Sequence, residues 1–397
     1  MKTVFTLLMT CASAVAQTIF YETNVVVQPF VGSSFYGHID GEGELTMFTA
    51  PRGICAIGGT LFVADQERIR AATTNGTVST LAGGGTGTGC GTNVNLSTEF
   101  LCADVFGNVY SMQYASGTVR RFTTPLGCVS NISLGVTALG IACDGTNLFI
   151  GGTDNKIWRY SPTTGMAVFV GSGNAGTNDG NGIFCSFYSP KPIACDSIGN
   201  VYVFDSSSGL IRQITPQKIV STVTGRAYAG GSSDGPRGSA SIDTCNGGAV
   251  DSNGNIYIST QTRLRKITPD GYVTTVAGAA PSGYQNGSGS VARFNGINGI
   301  FVFGQDIYVS DTSNYRVRKI TQPFEVSVSP ASISSSTYAG LTISGLPGRN
   351  YRIESSADSV NWTPSATFKL PSNPYLWIDT NAIPNNPRKF YRAVLLP

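Results

Sequence analysis

The chain has 397 residues, 41% of them apolar and only 12% charged, with 49 glycines and a formal net charge of +3. That composition fits a soluble, turn-rich all-β protein and excludes a disordered chain. So small a charge gives no reason to look for nucleic acid as a partner, and past the N-terminus no segment reaches the roughly 18–20 continuous apolar residues of a membrane-spanning helix.

The chain opens with Lys2, an apolar run from Val4 to Met9, and the small-residue site Ala14-Val15-Ala16 before Gln17. This is the pattern of a secretory signal peptide, cut after Ala16, so residues 1–16 are read as signal and the mature protein as secreted or surface-bound. Cys11 falls inside the signal, and Leu8-Met9-Thr10-Cys11 is a poor lipoprotein box because Thr10 replaces a small residue. Eight cysteines remain (Cys55, Cys90, Cys102, Cys128, Cys143, Cys185, Cys195, Cys245), an even number that suits disulfides outside the cell. For Cys55, Cys102, Cys143 and Cys195 a second reading stands beside it, as small buried hydrophobes on inner strands. Asn-x-Ser/Thr sequons at Asn75, Asn95, Asn131, Asn286 and Asn361 matter only in a eukaryotic source.

A strand-closing tripeptide recurs along the chain: Phe30-Val31-Gly32, Leu81-Ala82-Gly83, Phe169-Val170-Gly171, Val223-Thr224-Gly225 and Val276-Ala277-Gly278. A repeat at this period means a propeller or a solenoid. The one long interval holds two unit centres, at Ala103-Asp104 and Cys143-Asp144, so the units number six. Within a unit, an apolar strand such as Pro192 to Cys195 leads through Gly199-Asn200 to an alternating strand, Val201-Tyr202-Val203. A third strand follows, Leu210 to Thr215 or Leu264 to Thr268, and after a turn such as Pro269-Asp270-Gly271 a fourth, Tyr272 to Val276. Four antiparallel strands per unit specify a propeller blade.

These residues resemble the NHL-repeat family of six-bladed β-propellers over about residues 24–321. Asp40-Gly41 leads by 8 residues to Phe48 and by 11 to Pro51, Asp179-Gly180 leads likewise to Phe187 and Pro190, and Asn286-Gly287 leads by 8 to Phe294. The second and third units lack this loop, so the ring is expected to be irregular there. The last unit ends at Ile320-Thr321 with three strands, whereas Asn24 to Gly32 is an orphan strand. Together they complete one blade and hide an open edge. The propeller is assigned to residues 17–321. Residues 322–397 show period-2 strands around Leu341, Tyr351 to Glu354, Tyr375 to Ile378 and Phe390 to Ala393. They read as a small immunoglobulin- or fibronectin-like β-sandwich with Trp362 and Trp377 in its core, and resemble modules that end many secreted proteins of environmental bacteria.

Strand direction puts the loop leading into the first strand of each unit on the same face as the loop after the second. The lead-in loops Tyr36 to Gly43, Ser172 to Gly182, Ala227 to Gly238 and Ala280 to Gly289 are long, and Asp65, Asp205 and Asp311 open the others. A binding site is therefore expected on this face near the channel mouth, with Asp65, Asp205, Asp311, Asp40, Asp179 and Asp234 as candidates. The first three could hold calcium, as the resemblance to lactonase-type propellers implies, although turn capping explains them as well. No other cofactor is implied. His38 is the only histidine, which argues against the multi-histidine zinc site of NHL-fold peptide-amidating lyases and leaves no catalytic residue to name. Arg70, Arg212, Arg265 and Arg318 share one third-strand slot and are expected to lie along the blade surface, pairing with acidic turns. The chain thus reads as a secreted or surface-associated binding or adhesion protein that holds a protein or carbohydrate partner. The alternative is a calcium-dependent lactonase or lyase at the channel mouth.

Overall fold

The computed structural model describes residues 19, 21–22, 25–87, 89–124 and 127–322, together with 327–331, 339–344, 350–356, 361–369, 371, 375–379 and 390–395. The signal peptide expected over residues 1–16 lies outside them. The chain divides into two compact units at Thr321/Gln322.

The first unit is built from antiparallel sheets whose strands follow the chain from inner to outer edge. In one, Pro190–Cys195, Val201–Asp205, Leu210–Ile214 and Ile219–Thr224 pair in sequence order. The second strand, Val-Tyr-Val-Phe-Asp, is buried along its whole length, because sheets pack on both of its faces. Ile54, Val63 and Phe48 of one sheet meet Val31, Tyr308 and Val317 of its neighbour. Tyr202 and Phe204 meet Ile256 and Ile258 in the same way. The inner strands converge: Ile297–Phe303 packs beside Pro51–Ile57, which packs beside Phe100–Ala103, and the succession continues through Cys128–Cys143, Pro190–Cys195 and Gly248–Val250 back to Ile297–Phe303. The result is a propeller-like ring around a central channel.

Two sequence-level irregularities take physical form here. The strand Val26–Val31 pairs antiparallel with Arg316–Thr321, Val27 opposite Ile320, and so completes the last sheet with the first strand of the ring. The 16-residue strand Cys128–Cys143 belongs to two units. Its first part pairs with Ser116–Thr123 and its last part with Leu148–Gly152, which fuses the second and third units into a seven-stranded sheet. Gly135 sits in the bend at φ +67°, a conformation that an L side chain rarely adopts.

The Asp-Gly loops cover sheet edges. Gly41–Glu42 pairs with Thr77 and Val78, Gly180–Asn181 with Ile219 and Val220, and Gly287–Ser288 with Val26 and Val27. Each loop thus supplies hydrogen bonds to an outer strand that would otherwise expose them.

Among its described residues the second unit holds two three-stranded antiparallel sheets. One runs Ser327–Ala331, Ala339–Ser344, Tyr375–Asp379, and the other Thr363–Lys369, Asn350–Ser356, Phe390–Leu395. Tyr351 and Ile353 form its buried centre, with Phe368, Trp377 and Tyr391 packed against them, so Trp377 serves as core.

Candidate functional site

The repeated Asp and Arg residues are structural. Arg70, Arg212, Arg265 and Arg318 are 0% exposed, which corrects the expectation of side chains lying along the blade surface. Each guanidinium is closed in by the carboxylate or amide at the Asp-Gly position: Asp40 at 2.7 Å, Asp179 at 2.7 Å, Asp234 at 2.9 Å and, in the last unit, Asn286. Three of them also stack on the phenylalanine eight residues past that position, Arg70 on Phe48, Arg212 on Phe187 and Arg318 on Phe294. A planar five-donor fork suits this combination of bidentate and stacking contacts, which lysine could not reproduce.

Asp65, Asp205 and Asp311 sit behind the same arginines with side chains closed to solvent, at 3.1, 3.7 and 2.9 Å. They also accept backbone N–H groups of the lead-in loop: Thr49 and Ala50 on Asp65, Tyr188 on Asp205, and Asn295 on Asp311. Each therefore serves its own sheet, in line with the capping reading, and the three are not brought together as a calcium site; no group of three or more His, Cys, Asp or Glu suited to a metal occurs among the described residues. Of the remaining candidates, Asp234 is buried, whereas Asp40 and Asp179 are half-exposed and bonded outward to Thr80 and Thr222. Burial opposes the charge of Asp40, but the Thr80 amide and hydroxyl with the Arg70 guanidinium outweigh it and hold its carboxyl below the ordinary value. Asp205 shows the opposite balance: burial wins over Ser208, the Tyr188 amide and Arg212, and its pKa rises to about 6.

His38 stands 3.7 Å from Asp65 and 3.2 Å from the Thr49 hydroxyl. Both ring nitrogens are equally far from that oxygen, so neither is singled out as its partner, and the hydroxyl donates to the Gly37 carbonyl. Burial, and then Arg68, lower the pKa of His38 despite Asp65. This is a loop contact and lacks the aligned relay of a nucleophile with its base.

The structure places a different set of residues at the channel mouth. A cavity of about 370 Å³ opens there, with Arg52, Glu99, Tyr114, Lys191, Asn246 and Asn298 on its walls and Ile54, Leu101, Ile141, Ile193 and Ile300 beneath. Arg52 pairs with Glu99 at 2.8 Å, and the other Glu99 oxygen accepts the Tyr114 amide at 2.7 Å. The Lys191 ammonium lies 5.7 Å from the centre of the Tyr114 ring. Asn246 and Asn298 donate to the Ile297 carbonyl and the Thr312 hydroxyl, respectively, which fixes their amides. Close approach of inner strands makes the mouth narrow. A Cβ on Gly299 would lie 2.2 Å from the Arg52 carbonyl oxygen, and one on Gly53 would lie 2.5 Å from the Leu101 nitrogen.

These residues escaped sequence reasoning because the repeat drew attention to what is constant. The signal lies in what varies: all but Tyr114, which follows the second strand Asn108–Met112, stand just ahead of, or within, the start of an inner strand, where the unit supplies Arg52, Glu99, Lys191, Asn246 or Asn298 in turn.

No family model matches the chain, and no curated protein matches it. Solved structures do. A structural genomics protein of unknown function from Bacteroides thetaiotaomicron is 22% identical, with a TM-score of 0.61, over 75% of this chain and 76% of that one. An auxiliary nutrient binding protein from the same organism is 18% identical, with a TM-score of 0.61, over 75% and 76%. Another, from Bacteroides ovatus, is 18% identical, with a TM-score of 0.60, over 77% and 78%. The likeness is one of fold: all-β and propeller-like.

Proposed function

We propose that this protein is an exported binding protein whose channel mouth holds a carbohydrate. The ring is read as six NHL-type blades over residues 17–321, since six apolar clusters alternate with the inner strands and the shared strand Cys128–Cys143 counts twice. A signal peptide at residues 1–16 and a C-terminal sandwich at 322–397 complete the arrangement. One disulfide, Cys90–Cys128, agrees with an oxidising compartment.

The mouth cavity carries the reading. At about 370 Å³ it lies at the lower end of small-ligand sites, large enough for one or two sugar rings, and it is concave, whereas a protein partner is held over a broad face. Its walls offer amide, ammonium and guanidinium donors with an aromatic ring at the rim, and its floor is aliphatic. Sugars take that combination of polar edges and apolar faces. Two of the fold neighbours are described as auxiliary nutrient binding proteins, in keeping with a ligand role for this architecture. Exposed Phe35, Tyr36 and Phe184, 68%, 72% and 81% accessible, give a longer glycan further apolar contacts on the loops. A hydrolytic or lyase role finds less support, because Glu99 is the one carboxylate among the cavity's lining residues and Arg52 holds it.

The test is calorimetric titration of the mature protein with neutral and acidic mono- and disaccharides, beside Lys191→Ala and Asn298→Ala. Saturable binding that either variant weakens at least tenfold is the expected result. Binding unaffected by both variants, or no binding across the panel, overturns the proposal.

A further inference from the structure

Below the isoleucine floor lies a second, smaller cavity of about 200 Å³, and Cys55, Cys102, Cys143 and Cys195 are among the residues that line it. All four are free thiols on neighbouring inner strands. Two are held together. Cys102 stands one residue before the end of Phe100–Ala103 and Cys143 ends Cys128–Cys143, two strands that pack side by side, and the two thiols interact. The turns that follow them are tied by a hydrogen bond from the Val105 N–H to the Gly145 carbonyl at 3.0 Å, and the Gly145 N–H donates to the Cys143 sulfur at 3.3 Å. The backbone thus fixes both the spacing of the two strands and the direction of one sulfur.

From this geometry we infer that Cys102 and Cys143 are a redox-convertible pair, a modification site at the end of the channel remote from the mouth. The reaction is thiol–disulfide exchange with a small-molecule disulfide that can enter the cavity. The Cys143 thiolate, on the more exposed residue of the two, attacks one reagent sulfur; the reagent S–S bond breaks, a mixed disulfide forms, and one reagent thiol leaves. Cys102 then gives its proton to solvent and attacks the Cys143 sulfur, forming the Cys102–Cys143 bond and releasing the second reagent thiol. Two electrons and two protons pass from the protein to the reagent. The new bond joins neighbouring inner strands across the channel wall. Burial, followed by the neighbouring Cys143 group, raises the Cys102 thiol well above its ordinary range, so its thiolate is scarce at neutral pH and ring closure is base-accelerated.

The experiment treats the folded full chain with 2-hydroxyethyl disulfide, blocks remaining thiols by alkylation in denaturant, and maps peptides without reduction; the existing Cys90–Cys128 bond serves as internal standard. The expected product links Cys102 to Cys143 and leaves Cys55 and Cys195 alkylated, at a rate that rises roughly tenfold per pH unit between about pH 7 and 9. Cys102→Ser is expected to stop at the mixed disulfide on Cys143, whereas Cys195→Ser leaves the link intact. Linkage of either cysteine to Cys55 or Cys195, or alkylation of both Cys102 and Cys143 after treatment, overturns the inference. Since the wild-type map decides it, failure of a variant to fold does not.

Discussion

Arg212 Nη1 stands 3.7 Å from the Asp205 carboxylate, whereas in the last sheet Arg318 approaches Asp311 to 2.9 Å, with both pairs closed to solvent. Arg212 instead commits Nε and Nη2 to Asp179, at 3.2 and 2.7 Å. Asp205 is therefore a buried carboxylate with a distant countercharge; burial raises its pKa, as it also raises that of Asp311 despite the closer guanidinium.

The consequence is a pH dependence of stability. Because folding raises the Asp205 pKa from 3.8 to about 6, the folded state binds the proton more tightly. Its contribution is fully present below about pH 4 and is lost as pH rises through 6, on the order of 3 kcal/mol. Asp205→Asn removes the titration, so the difference between the wild-type and variant unfolding free energies is expected to change across pH 4 to 7. A difference that stays constant over that window would refute the assignment. Asp40, held below its ordinary value, acts oppositely and loses stability on acidification.

Breaking a clasp is costlier than replacing it. Arg318→Ala leaves Asp311 buried without its guanidinium and is expected to destabilise the protein by about 3–5 kcal/mol. Adding Asp311→Asn to an Arg318→Met background is expected to restore part of that. Urea unfolding of the single and double variants reads the difference, and an additive double variant would show that the two side chains are not coupled.

Gly299→Ala places a methyl group 2.2 Å from the Arg52 carbonyl oxygen, where two inner strands meet at the mouth. Overpacking of this kind costs about 1–3 kcal/mol, so the thermal midpoint should fall and ligand affinity with it. A midpoint equal to wild type would show that the strands can separate freely.

Reduction of Cys90–Cys128, which closes a segment with a sequence separation of 38, is expected to lower stability by about 4 kcal/mol on the loop-entropy account. Cys90→Ser measured in denaturant without reductant should reproduce the loss.

Calcium is expected to leave the thermal midpoint unchanged, with or without prior EDTA, because Asp65, Asp205 and Asp311 are each engaged by an arginine in a separate sheet. A calcium-dependent rise would reinstate them as ligands.

Much of the fold was legible in the chain itself. Strand order within a unit follows from period-2 patterning and Gly-Asn turns, and closure of the last sheet follows from an orphan strand at one end and a missing one at the other. The Asp40, Phe48 and Pro51 spacing and the shared slot of Arg70 marked the repeat correctly, because local geometry imposes the same residues on every copy. What those residues do was decided only by tertiary structure: the arginines expected at the surface are buried, and the candidate carboxylates belong to them. The same holds for the mouth. Arg52, Glu99, Tyr114, Lys191, Asn246 and Asn298 come from distant parts of the chain and share no motif, since what unites them is convergence of inner strands on one axis. Cys102 and Cys143 likewise become neighbours through ring packing. Sequence periodicity encodes contacts that each repeat makes within itself, and a site assembled once from many repeats leaves no period to read.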